Sequence, residues 1–363
     1  MDNLFTIDMH EAFMSRALEL ARKGQGKVSP NPMVGCVLVK DGEIIGEGFH
    51  EEFGGDHAEV SAFNNSHKDP LDATAYINLE PCCLTGKTPP CTDALIHNSI
   101  SEVYIGMLDP NPAIKGKGVE ALKKAGIKVH LGIMAEEAER LNRPFSKWMT
   151  TGLPWVVAKV AQTPDGFMGI NSDTSVWLTG EEAKKYTHRL RSQVDAVLIG
   201  RQTAQVDNPS LTVRESLGNN PKRIILDTNR KLPLDLNIFQ DKQAETIVLC
   251  SASRFARSNT YYCHYLPVQE EEGKLSTKDI LQVLAKEGIL SILIEGGREV
   301  LQSFANDNLL DQIYIYTSSN YIKNAKLENP IQLSDEWTVV DEVLIGKDQL
   351  IIAEKGVECL QEL

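Results

Sequence analysis

Four residues in the first third of the chain, His57, Glu59, Cys82 and Cys91, have types and an order that could do chemistry. One imidazole and two thiolates suit Zn²⁺, and three protein ligands leave a fourth tetrahedral position for water, which separates a catalytic from a structural site. Zinc lowers the pKa of such a water toward ~7. Glu59, two residues from His57, is then the carboxylate that takes a proton and hands it to a substrate nitrogen, as hydrolytic removal of a ring amine requires. Each piece has a plainer reading. Buried free cysteines are common, His57 alone is a residue at a helix start, and Glu59 alone is a first-turn acid favoured by the helix dipole. A structural zinc would need a fourth protein ligand. Cys83 is the only spare nearby, and adjacent cysteines chelate one metal poorly, so the open, catalytic site is the reading adopted.

The elements that must position these groups follow from local pattern. Asp8 and Glu11 form a D-x-x-E cap ahead of apolar Met9, Phe13, Ala17 and Leu20, with Gly24 as the stop. Val34–Lys40 and Glu43–His50 read as strands joined by Asp41-Gly42, a strong hairpin signal. A helix near Asp56–Asn64 would carry His57 and Glu59. Strand Thr74–Leu79 leads into Pro81-Cys82, so the cysteines lie beyond a strand's C-terminal end, where α/β sites gather. Helix Thr92–His97, strand Glu102–Leu108, helix Gly118–Lys124, strand Ile127–Leu131 and helix Glu136–Met149 complete a sheet sandwiched by helices. Gly116-x-Gly118-x-x-Ala121 matches a dinucleotide fingerprint only on paper. DPNPAIK separates it from the preceding strand, so a surface helix start is the better reading.

The stretch TTGLP at 150–154 breaks the last helix, and a new strand, Trp155–Val160, begins at once. This places a domain boundary there, with domains 1–150 and 151–363. The second half again mixes elements. Helix Glu181–Gln193, strands Ala196–Ile199, Arg223–Asp227, Thr246–Cys250 and Ser291–Glu295, helix Arg298–Asn306 and strand Gln312–Tyr316 are predicted, with further strands toward the C-terminus. Leu293-Ile294-Glu295-Gly296-Gly297 is a strand ending in two glycines before a helix. Its backbone N–H groups could cradle a pyrophosphate, although such a junction is most often only a tight turn.

Composition narrows the function classes. A chain of 363 residues has room for two cores. Charged residues at 24% and hydrophobic residues at 42% are ordinary for a globular protein, and no stretch reaches the roughly 20 apolar residues of a membrane span. The N-terminus has no basic region ahead of an apolar core, so a secretory signal is not expected and the cytoplasm is the default compartment. Net charge is −13, and short lysine clusters such as Lys115, Lys117 and Lys123 sit among acids, so no nucleic-acid partner is expected. Seven cysteines without a secretion signal argue for thiols or a metal site over disulfides.

Eight residues, CLTGKTPP, separate Cys82 from Cys91, where the general zinc-deaminase signature H-x-E…P-C-x-x-C has two. With this insert, HAEV (57–60), LEPCCLTGKTPPC (79–91) and DPNP (109–112) together resemble the deaminase domain of the bifunctional riboflavin-biosynthesis proteins. Lys159-x-Ala161-x-Thr163-x-Asp165-Gly166, Trp177-x-Thr179-Gly180, Arg191, Thr203, Asp207-Asn-Pro-Ser-Leu211-Thr-Val-Arg214 and Glu295-Gly-Gly resemble, in order, the reductase domain of the same family. The resemblance runs over essentially the whole chain.

It implies a cytidine-deaminase-like three-layer α/β/α domain followed by an α/β domain similar to dihydrofolate reductase. It also implies a catalytic Zn²⁺ and NADPH as cofactors, and small phosphorylated pyrimidines as substrates. Glu59 would be catalytic, with His57, Cys82 and Cys91 on the metal. Asn31, His50, Lys87, Asp109 and Asn111 would line the deaminase pocket. Ala161, Trp177, Thr203, Asp207, Gly296 and Gly297 would face NADPH. Ser175, Arg191, Leu211, Arg214 and Glu295 would face the sugar phosphate, since arginines offer it bidentate donors. Lys159 and Glu295 are further expected near the reduced carbon. Arg254 is one candidate for the NADPH 2′-phosphate.

The implied reactions are deamination of 2,5-diamino-6-ribosylamino-4(3H)-pyrimidinone 5′-phosphate, then reduction of its ribosyl group to ribityl. The sequence leaves three alternatives: a tRNA or free-base deaminase, a chain that has lost one activity, and a deaminase-like binding module. Leu84 speaks for the last, standing where the family usually has histidine. Oligomeric state is open, a homo-oligomer included.

Overall fold

The computed structural model describes residues 2–84, 89–170, 175–256 and 263–356, with side chains from residue 9 onward. By the density of its internal contacts the chain divides into two compact units, Met1–Gly152 and Leu153–Leu363.

The first unit runs α1 (Asp2–Arg22), β1 (Gly35–Lys40), β2 (Glu43–Phe49), α2 (Ala58–Asn64), β3 (Thr74–Leu79), α3 (Cys91–His97), β4 (Glu102–Met107), α4 (Lys117–Lys124), β5 (Lys128–Leu131) and α5 (Ala135–Thr151). Its sheet has the order β2-β1-β3-β4-β5. The pairs β2-β1 and β1-β3 are antiparallel and the remainder parallel. Because side chains alternate along a strand, each strand feeds two layers. Leu38, Ile77 and Ile105 pack with Ala58, Ala62, Leu95 and Leu122 of α2, α3 and α4 on one face. Val37, Tyr76 and Tyr104 pack with Met14, Ala17, Leu18 and Ala138 of α1 and α5 on the other. The unit is thus a three-layer α/β/α sandwich.

One predicted start is corrected. Helix α1 begins at Asp2, so the Asp8–Glu11 pattern lies inside it and does not mark its start. A D-x-x-E pair marks a helix start only if something stops the helix upstream, and residues 3–7 contain neither Gly nor Pro. At the other end, α5 carries Pro144 in its interior beside the non-helical Asn142, and stops at Gly152 in the left-handed region.

The second unit runs β6 (Trp155–Gln162), β7 (Phe167–Gly169), α6 (Glu181–Arg191), β8 (Ala196–Gly200), α7 (Arg201–Asp207), β9 (Lys222–Leu226), α8 (Asn237–Gln240), β10 (Thr246–Ser251), β11 (Cys263–Val268), β12 (Glu270–Glu271), β13 (Lys274–Leu275), α9 (Thr277–Lys286), β14 (Ser291–Gly296), α10 (Arg298–Asn306), β15 (Gln312–Thr317), β16 (Leu327–Glu328), β17 (Trp337–Ile345) and β18 (Asp348–Lys355). Nine strands form one sheet in the order β11-β10-β9-β8-β14-β6-β15-β18-β17. Pairing is parallel from β11 to β15, and β18 and β17 then add antiparallel. Leu281, Leu284, Leu301 and Phe304 of α9 and α10 cover one face. Ala183 and Leu190 of α6, Ala204 of α7 and Phe239 of α8 cover the other. No helix among the described residues is long and apolar enough to cross a membrane.

Candidate active sites

In the first unit, α2 sets the metal donors. Its N-cap is His57, held in extended backbone (φ −71°, ψ 158°) without a side-chain capping bond, so the imidazole is turned to other partners. Helix α2 lies directly on β2. A Cβ on Gly48 would come within 2.2 Å of Ala62 N and 2.4 Å of Ala58 O, so only glycine permits this approach. Cys91 opens α3, and Cys82 follows the C-terminal end of β3.

His57 Nδ1 lies 3.1 Å from Cys91 Sγ and 3.6 Å from Cys82 Sγ, and the Cys91 N–H donates to Cys82 Sγ at 3.4 Å. All three donor atoms fall within 4.8 Å of one another. One nitrogen facing two sulfurs is the donor set of a tetrahedral zinc site with one position left for water, and the residues therefore fit Zn²⁺. The hydrogen bond from Cys91, aided by His57 and opposed by burial, pulls Cys82 down to about 4, while that same bond and burial push Cys91 up. His57 is raised by its bond to Cys82.

Glu59 sits in the first turn of α2, 3% exposed, and burial raises its carboxyl above the ordinary range. His50 packs edge-on to His57 with ring centroids 5.7 Å apart. Its Nδ1 donates to Asp56 O at 2.9 Å and its Nε2 accepts from Asn31 Nδ2 at 3.0 Å. That pattern fixes a neutral imidazole with the proton on Nδ1, and burial lowers its pKa accordingly. Asp109, just past β4 and 6% exposed, is raised to about 6, chiefly by burial. Its Oδ1 accepts the N–H of Asn111 at 2.8 Å. Lys87 lies outside the described residues, and Leu84 is half exposed.

The second unit holds a cleft of about 1230 Å³ at the C-terminal ends of its parallel strands. That exceeds the ~300–1,000 Å³ usual for one small ligand and leaves room for a dinucleotide and a second molecule. Ala161, Trp177, Thr203, Asp207, Gly296 and Gly297 all line it. So do Lys159, Ser175, Arg191, Leu211, Arg214 and Glu295. Gly296 is at φ +145° and is joined to Gly297 by a cis peptide, with Thr203 packed above them.

Arg191 does not present a free fork: its Nη2 donates to Glu295 Oε2 at 2.7 Å, its Nε donates to Glu295 Oε1 at 2.5 Å, and its Nη1 donates to Thr212 O at 3.1 Å. Burial works to raise Glu295, but Arg191, with Lys159 nearby, outweighs it and holds the carboxyl low. Lys159 lies over the Tyr316 ring at 5.5 Å and is itself lowered by burial, against the pull of Glu295. Arg254 stands on the exposed turn Ala252–Arg254 and does not line the cleft, whereas Arg201, Lys274 and Arg298 do.

Two residues escape the sequence reading. His188, 2% exposed, lines the cleft and accepts the Arg214 N–H on Nδ1 at 3.1 Å. Its pKa is lowered by burial and then by Arg191 and Arg214. Glu80, 3% exposed, accepts four main-chain N–H groups beside the metal donors. Neither type nor spacing marks them. Their significance lies in backbone partners 26 to 39 residues away.

Residues 7–107 match the family described as "Cytidine and deoxycytidylate deaminase zinc-binding region", and residues 154–322 match "RibD C-terminal domain". Fold and sites define an α/β enzyme that joins a zinc-binding deaminase to an NADPH-using reductase. Riboflavin biosynthesis protein RibD of Actinobacillus pleuropneumoniae is 36% identical over 323 residues, 88% of this chain and 86% of that protein. RibD of Escherichia coli is 37% identical over 84% of this chain and 86% of its own length. Among solved structures, the Thermotoga maritima diaminohydroxyphosphoribosylaminopyrimidine deaminase/5-amino-6-(5-phosphoribosylamino)uracil reductase superposes with a TM-score of 0.87 at 35% identity, covering 97% of this chain and all of that one. Acinetobacter baumannii RibD gives 0.84 at 33%, covering 96% and 99%. The chain belongs to the RibD family of riboflavin biosynthesis proteins. Nothing in these likenesses supports a tRNA deaminase or an inactive binding module.

Proposed function

We propose that the two units carry out consecutive steps on one small phosphorylated pyrimidine, with the first unit as deaminase domain and the second as reductase domain. The observation that carries the reading is the convergence of His57, Cys82 and Cys91 within 4.8 Å, two residues from buried Glu59, in a chain of the RibD family. The first reaction is hydrolysis of the ring amine of 2,5-diamino-6-ribosylamino-4(3H)-pyrimidinone 5′-phosphate to the uracil and ammonia. Zinc held by the three donors would supply a water of lowered pKa. Glu59, buried two residues from His57, would accept one proton of that water and pass it to the ring nitrogen, and then carry the second to the departing amine, which leaves as ammonia. Asn31 and His50, locked to each other, orient the ring, and Asp109 and Asn111 meet it from the loop beyond β4.

In the second domain NADPH would supply the hydride that reduces the ribosyl C1′ to ribityl. Lys159, lowered by burial and close to Glu295, delivers the proton that the opening sugar oxygen needs. With Arg191 engaged by Glu295, Arg214 is the guanidinium for the substrate phosphate, and Arg191 orders the wall beside it. Such small substrates require no basic surface for nucleic acid, in keeping with the net charge of −13. The assembly can be a homo-oligomer, and the cytoplasm is the compartment that suits its thiols. Glu59→Ala tests the deaminase. Ammonia release from the diamino substrate is expected to fall at least about a hundredfold, and retained release would sink the mechanism.

A further inference from the structure

We propose that Glu80 is a positioning residue of the deaminase, fixing the Asp109–Asn111 loop against the Pro81-Cys82 segment. Its carboxylate has no cationic partner among the described residues, and bare burial of a charge is costly. Four main-chain donors offset that cost. Oε2 accepts from Asp109 N at 3.1 Å and Gly116 N at 2.9 Å, and Oε1 accepts from Gly118 N at 2.9 Å and Val119 N at 3.2 Å. Charge-assisted bonds of this kind are about twice as strong as neutral ones. Two of the four come from the first turn of α4, whose donors have no partner inside the helix.

The consequence is geometric. Glu80 is two residues from the metal donor Cys82, and its own N–H is held by Met107 O at 2.9 Å. One carboxylate therefore ties the strand end that delivers Cys82 to the loop that delivers Asp109. Helix α4 closes onto the same point. A Cβ on Gly118 would lie 2.3 Å from Pro81 O and 3.1 Å from Glu80 Oε1, so no larger residue allows the contact. Asp109 and Asn111 then brace the loop internally, Asn111 Oδ1 accepting the Ala113 N–H at 3.0 Å. This inference rests on the reading that Asp109 and Asn111 meet the pyrimidine.

Glu80→Gln replaces an acceptor oxygen with an amide that points hydrogens at N–H groups. In the full chain we expect the KM for the diamino substrate to rise about tenfold or more, since small misplacements are costly in a preorganised site. Zinc should stay at one per chain, and NADPH oxidation with the deaminated substrate should be unchanged. Gly118→Ala disturbs the same junction without altering the carboxylate, and should raise KM likewise if the first variant fails to fold. A KM within twofold of wild type in a folded variant, however far its Tm falls, overturns the proposal, as does loss of zinc from a folded variant. No ammonia release by the wild-type chain would instead overturn the functional reading, and the proposal with it.

Discussion

At the residue scale the reductase cleft turns on Arg191 and Glu295, whose side chains are only 12% and 9% exposed. Breaking a buried pair by removing one partner leaves the other charge stranded, typically at a cost of 3–5 kcal/mol. Arg191→Leu should therefore destabilise the second unit by about that much, read by denaturant unfolding. Glu295 is held below its ordinary range in the folded chain, so the unfolded chain binds more protons in the interval between the two values. The pair's contribution is present above the ordinary carboxylate pKa and is lost as pH falls through the lowered folded one. The variant should lose that acid dependence. Both residues line the cleft. Sequence could not reveal that they face each other, because they lie 104 positions apart.

At the element scale, the seating of α2 on β2 decides whether His57 and Glu59 reach the cysteines. A Cβ on Gly48 would meet main-chain atoms of Ala58 and Ala62, which cannot rotate away, so α2 must shift. Gly48→Ala should cost roughly 1–3 kcal/mol as overpacking does and weaken zinc binding, read by competition with a chromogenic chelator, while NADPH oxidation is unaffected. Most elements of the first unit were legible because their patterns are local: β3 and the β1-β2 hairpin carry their own β-rich runs and turn. The α1 start was misread because a capping pair looks the same inside a helix as at its end. Helix α7 is absent from the sequence-based order because seven residues with only Ala204 buried show no stripe. Helix α9 was within reach, since Ile280, Leu281 and Leu284 recur at helical spacing.

At the scale of the whole molecule, two units hold two chemistries, one dependent on metal and one on a nucleotide. The zinc motif was legible because each donor is a rare residue type in a short segment. The shape of the cleft was not, because it assembles β6, α6, α7 and β14, and only a known resemblance named its residues in advance. The central claim is that zinc-dependent deamination precedes reduction on this chain. The direct test strips zinc with a chelator and follows NADPH oxidation with the diamino and the deaminated substrates in turn. No oxidation is expected with the diamino substrate until zinc is restored, and undiminished oxidation with the deaminated one throughout. Oxidation of NADPH by the zinc-free chain on the diamino substrate would contradict that claim.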